Sequence, residues 1–205
     1  NGTEILPDPE FSVVAAPANT ASTDPASAGP LASIDWGTKV QASAIDVFLV
    51  PGGYSIDGSI TENWLPYEIQ QLRRAFDLIE NVTALEFNFA SSTLGAELQL
   101  LNYDFGDPGY LGWVSPPGEE YEGVGGFNNG GVGWRWDQPG SGALERGGFG
   151  FVTILHEIGH GLGLANTHDS GGQSAVMEGV NADFGSYGKG GLNQGIFTTM
   201  SYNAG

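Results

Sequence analysis

The sequence predicts an α+β domain: a twisted mixed sheet, a long helix backing one face, and a second helix carrying a metal site. Three observations predict it. Strand-like apolar stretches occupy 44–50, 84–89 and 97–101. Between the first two, the apolar residues Ile69, Leu72, Phe76 and Ile79 recur at three- and four-residue steps, the period of a helix with one buried face. Finally, His156-Glu157-Ile158-Gly159-His160 puts two imidazoles four residues apart. The order strand, helix, strand, strand gives the mixed sheet with its helix on one face.

Each element follows from local chemistry. Residues 1–35 are rich in Pro, Ala, Ser and Thr. They read as an extended arm, because so few periodic apolar residues cannot offset the entropy of ordering; Phe11 to Val14 could dock locally. The domain proper is expected over 36–205, starting near Trp36. The stretch 44–50 ends at Pro51-Gly52-Gly53, a turn signal. Pro66 suits the first turn of the helix that runs to Glu80, and 84–89 alternates with period two. From Phe105 to Gly148 glycine and aromatic residues dominate, so irregular strands and long loops are expected. Gly130-Gly131-Val132-Gly133-Trp134-Arg135 approaches a calcium-binding repeat, but it puts a cation where a carboxylate belongs and is not repeated.

Composition bounds the function. The 205 residues suffice for one domain with a sizeable core. With no cysteine, disulfides are excluded, and any metal must be held by His, carboxylate, amide or phenol groups. The 24 acidic against 6 basic residues give a net charge of -18, which argues against nucleic acid or an anionic membrane as partner. Calcium affinity is one consequence open to such a charge, but a solvated acidic surface accounts for it better than several specific calcium sites do. Neither a signal peptide nor a membrane span is visible.

The chemistry concentrates on one stretch. The apolar run 149–155 leads into His156, so both histidines fall on a helix and face one metal ion. Neutral imidazole suits zinc, and Glu157, one position along, can accept the proton of an activated water without being a ligand. Hydrolysis is the implied reaction.

Taken together, the helix at 66–80, the strand at 84–89, the segment His156 to Asp169 and Thr198-Thr199-Met200-Ser201-Tyr202 resemble the metzincin zinc peptidases, and among them the serralysin-like catalytic domains of secreted bacterial proteases. The resemblance spans most of 36–205. It implies a secreted, monomeric zinc endopeptidase acting on proteins or peptides. Gly163 would end the helix and turn the chain back, Met200 would underlie the metal, and Tyr202 would stabilise the tetrahedral intermediate. Such domains usually continue into a C-terminal helix and a calcium-repeat domain, so the chain reads as a processed or truncated form.

The departure from that pattern is the third zinc ligand. Asn166 stands in register where the family has histidine, and His168 lies two residues beyond. Register favours Asn166 and ligand chemistry favours His168; the balance tips slightly to His168, with a weakened site as a third outcome. Asn166 also motivates a second class of function, a catalytically silent binding module that keeps the fold. By the same resemblance, substrate would pair as an extra strand along a sheet edge, for which 109–114 is the candidate.

Overall fold

The computed structural model describes residues 3–4, 29–56, 58–132, 134 and 143–204. Most of the expected arm, including Phe11 to Val14, lies outside the described residues, as do Gly133 and Arg135 of the glycine-rich run. The described strands are β1 (Thr3–Glu4), β2 (Ala44–Leu49), β3 (Tyr54–Ile56), β4 (Ser59–Ile60), β5 (Glu86–Phe89), β6 (Leu98–Tyr103), β7 (Gly112–Val114) and β8 (Val124–Asn128). The helices are α1 (Pro66–Glu80) and α2 (Phe149–Leu162), with a short 3₁₀ turn at Lys189–Gly191. Packing reaches back beyond Trp36: Ser33 is fully buried, and Ala165 donates its N–H to Ile34 O at 3.0 Å.

The main sheet has the order β5-β2-β6-β8-β7. Its first four strands run parallel, and β7 pairs antiparallel with β8, so the sheet is mixed with a parallel body. Strand β6 is buried at every position, as expected of a parallel strand covered on both faces. Both helices lie on one face. Ile45, Val47, Leu98, Leu100 and Phe127 from the sheet meet Leu72 and Phe76 of α1 and Phe151, Ile154 and Ile158 of α2 in one core. Burying each such side chain contributes about 1.5–3 kcal/mol. Opposite, Leu101, Tyr103 and Val124 are covered by Tyr54 and Ile56.

A buried carboxylate anchors α1 to the sheet. Glu68 accepts hydrogen bonds from Leu65 N–H (2.8 Å), Asn102 Nδ2 (2.9 Å) and Trp134 Nε1 (2.9 Å). Those donors offset the desolvation that a buried acid otherwise suffers. Strand β7 forms one edge of the sheet, and the described residues pair with it only from the β8 side. The stretch 109–114 therefore supplies a sheet edge, although only its second half is regular strand.

Candidate metal centre

Helix α2 enters the core from Gly148 without a side-chain cap and is buried over most of its length. Its end is set by Gly163, which adopts φ 107° and ψ 25°, the left-handed conformation that glycine accepts at little cost. The chain turns so tightly there that a Cβ on Gly163 would lie 2.2 Å from Thr38 O. This turn delivers Leu164, Asn166 and His168 back toward the helix.

His156 and His160 face one another with their Nε2 atoms 3.1 Å apart. Each ring is fixed from behind by a carbonyl: His156 Nδ1 lies 2.7 Å from Thr199 O and His160 Nδ1 lies 2.9 Å from Leu164 O. A carbonyl only accepts, so each Nδ1 carries the proton and each neutral ring turns a bare Nε2 lone pair toward the other. Burial makes neutral rings the rule. It pushes His156 down to about 4, with the neighbouring His160 adding to the effect, and it lowers His160 as well. Two facing lone pairs repel unless a cation sits between them.

Asn166 completes the arrangement on a third side. Its amide oxygen lies close enough to each ring to favour the protonated imidazole, raising both pKa values against the effect of burial. Nδ2 is held by Asp169 Oδ2 at 3.1 Å, while Oδ1 is buried without a well-formed hydrogen bond. A buried carbonyl oxygen with no donor, beside two bare imidazole nitrogens, fits a divalent cation of the zinc class. Among the acidic, histidine and cysteine side chains described, His156, Glu157 and His160 bring their ligand atoms within 4.8 Å of one another. His168 is not in that group. Its ring stacks on Tyr202 at 4.3 Å between centroids, with Nε2 3.8 Å from Asp169 and Nδ1 buried without a partner. Asn166 and His168 thus both stand near enough to the histidine pair to act on each ring.

Glu157 is buried beside them, and burial raises its carboxyl to about 8. Strand β7 passes directly over it: a Cβ on Gly112 would lie 2.8 Å from Glu157 Cγ. Sequence reasoning missed this role of Gly112, because a glycine required by a tertiary neighbour looks like any other glycine. Met200 is fully buried, with Sδ 2.8 Å from where a Cβ on Gly159 would stand, so it lies against the histidine helix. Tyr202 stacks on His156 at 5.4 Å, and its hydroxyl is pushed up to about 12 by burial and by Glu157. Tyr110, an exposed residue near the start of the edge segment, is likewise raised by partial burial of its hydroxyl and by Glu157.

Compared with known proteins, the chain matches no family model and no curated protein.

Proposed function

We propose that the chain is a zinc-dependent endopeptidase of the metzincin, serralysin-like kind, with His156, His160 and Asn166 as the residues that would hold the metal. The observation that carries this reading is the pair of bare Nε2 atoms 3.1 Å apart, with the unpartnered Asn166 Oδ1 beside them. Zinc, when bound, supplies Lewis-acid polarisation of the scissile carbonyl and acidifies water.

The chain's own groups supply the rest. Glu157 accepts the proton of the attacking water as oxygen bonds to the carbonyl carbon, then delivers it to the amide nitrogen as the C–N bond breaks. Burial favours the protonated carboxyl that Glu157 must hold between the two halves of that transfer, and a cation at the histidine pair would favour the carboxylate needed before the first. Tyr202 keeps its hydroxyl proton and can donate it in a hydrogen bond to the oxyanion. The exposed side of β7 offers main-chain groups for an extended peptide, so recognition rests largely on backbone pairing. By resemblance the enzyme is secreted and monomeric and acts on protein or peptide substrates.

The neutral amide of Asn166 supports a second reading, a binding module without turnover, because an amide is a poorer zinc donor than imidazole. Metal analysis of the full chain with casein cleavage, with and without a chelator, separates the two. Near one zinc per chain and chelator-sensitive cleavage support the enzyme. Absence of both from folded protein supports the binding module.

A further inference from the structure

A cavity of about 300 Å³ lies at the carboxyl ends of β6 and β8 and shares no lining residue with the metal centre. The sheet order reverses beside it: from β2 the chain crosses through α1 to β5 on one side, then returns to β6 on the other. Such crevices are where sheets with a parallel body take ligands. Position alone names no ligand, but the groups lining the cavity do. Asn102, one residue before the end of β6, is 2% exposed. Its Nδ2 donates to Glu68 Oε2 at 2.9 Å, which fixes the amide, because the flipped form would set a carbonyl against a carboxylate. Asn102 Oδ1 is left buried with no hydrogen-bond partner, a cost that a donor carried in by a ligand removes. Glu62 and Asp104 stand exposed at the rim. Glu62 N–H donates to Asn102 O at 2.7 Å, which ties the rim to β6. Asp104 Oδ1 accepts from Gly106 N–H at 2.8 Å and packs so closely on Gly130 that a Cβ there would lie 2.5 Å from it. Among the described residues lining the cavity, none carries a positive charge.

We propose that this cavity binds a guanidinium group, the head of an arginine side chain, with Glu62 and Asp104 pairing its charge and Asn102 Oδ1 accepting one of its N–H groups. The spread of the acceptors selects this cation over a metal ion. The carboxylates of Glu62, Glu68 and Asp104 do not bring oxygens within 4.8 Å of one another, as the donors of the metal centre do. A bare metal ion crowds its ligands onto one small sphere, whereas a planar guanidinium fans five N–H donors over a wider edge and reaches separated acceptors. The cavity is also at the lower end of the sizes that hold small organic ligands. The inference is independent of the endopeptidase reading.

Isothermal titration of the full chain with N-acetyl-arginine methylamide and with its citrulline and lysine counterparts tests the site. Citrulline keeps the shape but loses the charge, and is expected to bind at least about tenfold more weakly. Lysine, a point charge with fewer donors, is expected to bind several-fold more weakly than arginine. Glu62→Gln and Asp104→Asn keep size at exposed positions, so the fold holds, and each lowers arginine affinity by about tenfold. Gly130→Ala displaces the Asp104 carboxyl without changing charge and lowers it too. The exposed Glu120→Gln removes a charge outside the cavity and leaves affinity within about twofold. A peptide with one central arginine separates the sources: affinity about tenfold above the capped amino acid assigns an arginine of a polypeptide, equal affinity assigns a free small molecule, and both support the site. Three results overturn it: no arginine binding up to about 10 mM, citrulline or lysine binding as tightly as arginine, or a loss in Glu120→Gln that matches Asp104→Asn. In the last case attraction to the overall charge of -18 suffices.

Discussion

Two imidazoles whose Nδ1 protons are committed to Thr199 O and Leu164 O have nothing to offer each other except lone pairs. The same geometry governs what substitutions do. Glu157→Gln keeps shape and burial but cannot accept a proton, so kcat is expected to fall by about 10²–10⁴ while the zinc content holds; unchanged turnover would remove Glu157 as the base. At the third side, Asn166→His is expected to tighten zinc by replacing an amide with imidazole, and Asn166→Ala to weaken it, whereas His168→Ala leaves affinity nearly unchanged. Competition with a chelating dye reads all three, and a large loss in His168→Ala alone would restore His168 as ligand. Metal-free protein should also show the buried acid. The Glu157 carboxyl is raised from 4.5 to about 8, so its contribution to stability is present below pH 4.5 and is lost as pH rises through about 8. His156 is lowered from 6.5 to about 4, so its contribution is present above 6.5 and is lost as pH falls through about 4. Chelated Glu157→Gln should therefore gain on chelated wild type between pH 4.5 and 8, by on the order of 5 kcal/mol at most. Parallel stability curves in denaturant would contradict this.

Helix α2 ends where it does because one residue accepts φ 107° under the Thr38 carbonyl. Gly163→Ala combines a left-handed alanine with that contact, and a loss of more than about 2 kcal/mol is expected. Chemical denaturation measures it; a loss below about 0.5 kcal/mol would mean the turn relaxes freely. Elements whose signal is local were legible in the sequence. Pro66 and the spacing of Ile69, Leu72, Phe76 and Ile79 gave α1 its bounds, and the histidine spacing gave the face of α2. Strand β8 was not legible, because three residues of Val124-Gly125-Gly126-Phe127-Asn128, the two glycines and the asparagine, are of types depleted in strands. Its glycines answer to tertiary neighbours instead: a Cβ on Gly125 would lie 2.3 Å from Val114 Cγ2, and one on Gly126 would lie 2.7 Å from Trp113 Nε1. The parallel body of the sheet was hidden for a related reason, since period-two alternation reports burial and not strand direction. In the site, register pointed to Asn166 and ligand chemistry to His168, and the turn after Gly163 brings both close enough to act on the two rings, with the His168 ring also stacked on Tyr202.

At the scale of the whole molecule, a chain with a net charge of -18 and no disulfide has few means of joining its distant segments. The candidate centre joins three of them: α2, the 163–168 return and the turn holding Met200, which meet at the two histidines through Leu164 O and Thr199 O. Because the donors come together only when these segments fold, zinc binds the native state in preference to the unfolded one, and its binding energy adds to folding. At zinc a hundredfold above Kd the gain is about 2.7 kcal/mol, which for a domain of this length raises Tm by roughly 5–10 °C. The shift should grow with each tenfold rise in zinc and be larger in Asn166→His. It should vanish in His156→Ala, which removes one of the two facing nitrogens. Calcium at the same concentration serves as the control, since oxygen-seeking ions gain little from imidazole while surface carboxylates bind both. Differential scanning fluorimetry across this series decides the point: an equal shift for zinc and calcium, or one that survives in His156→Ala, would locate the bound ion on the acidic surface and remove the histidine pair as the metal centre.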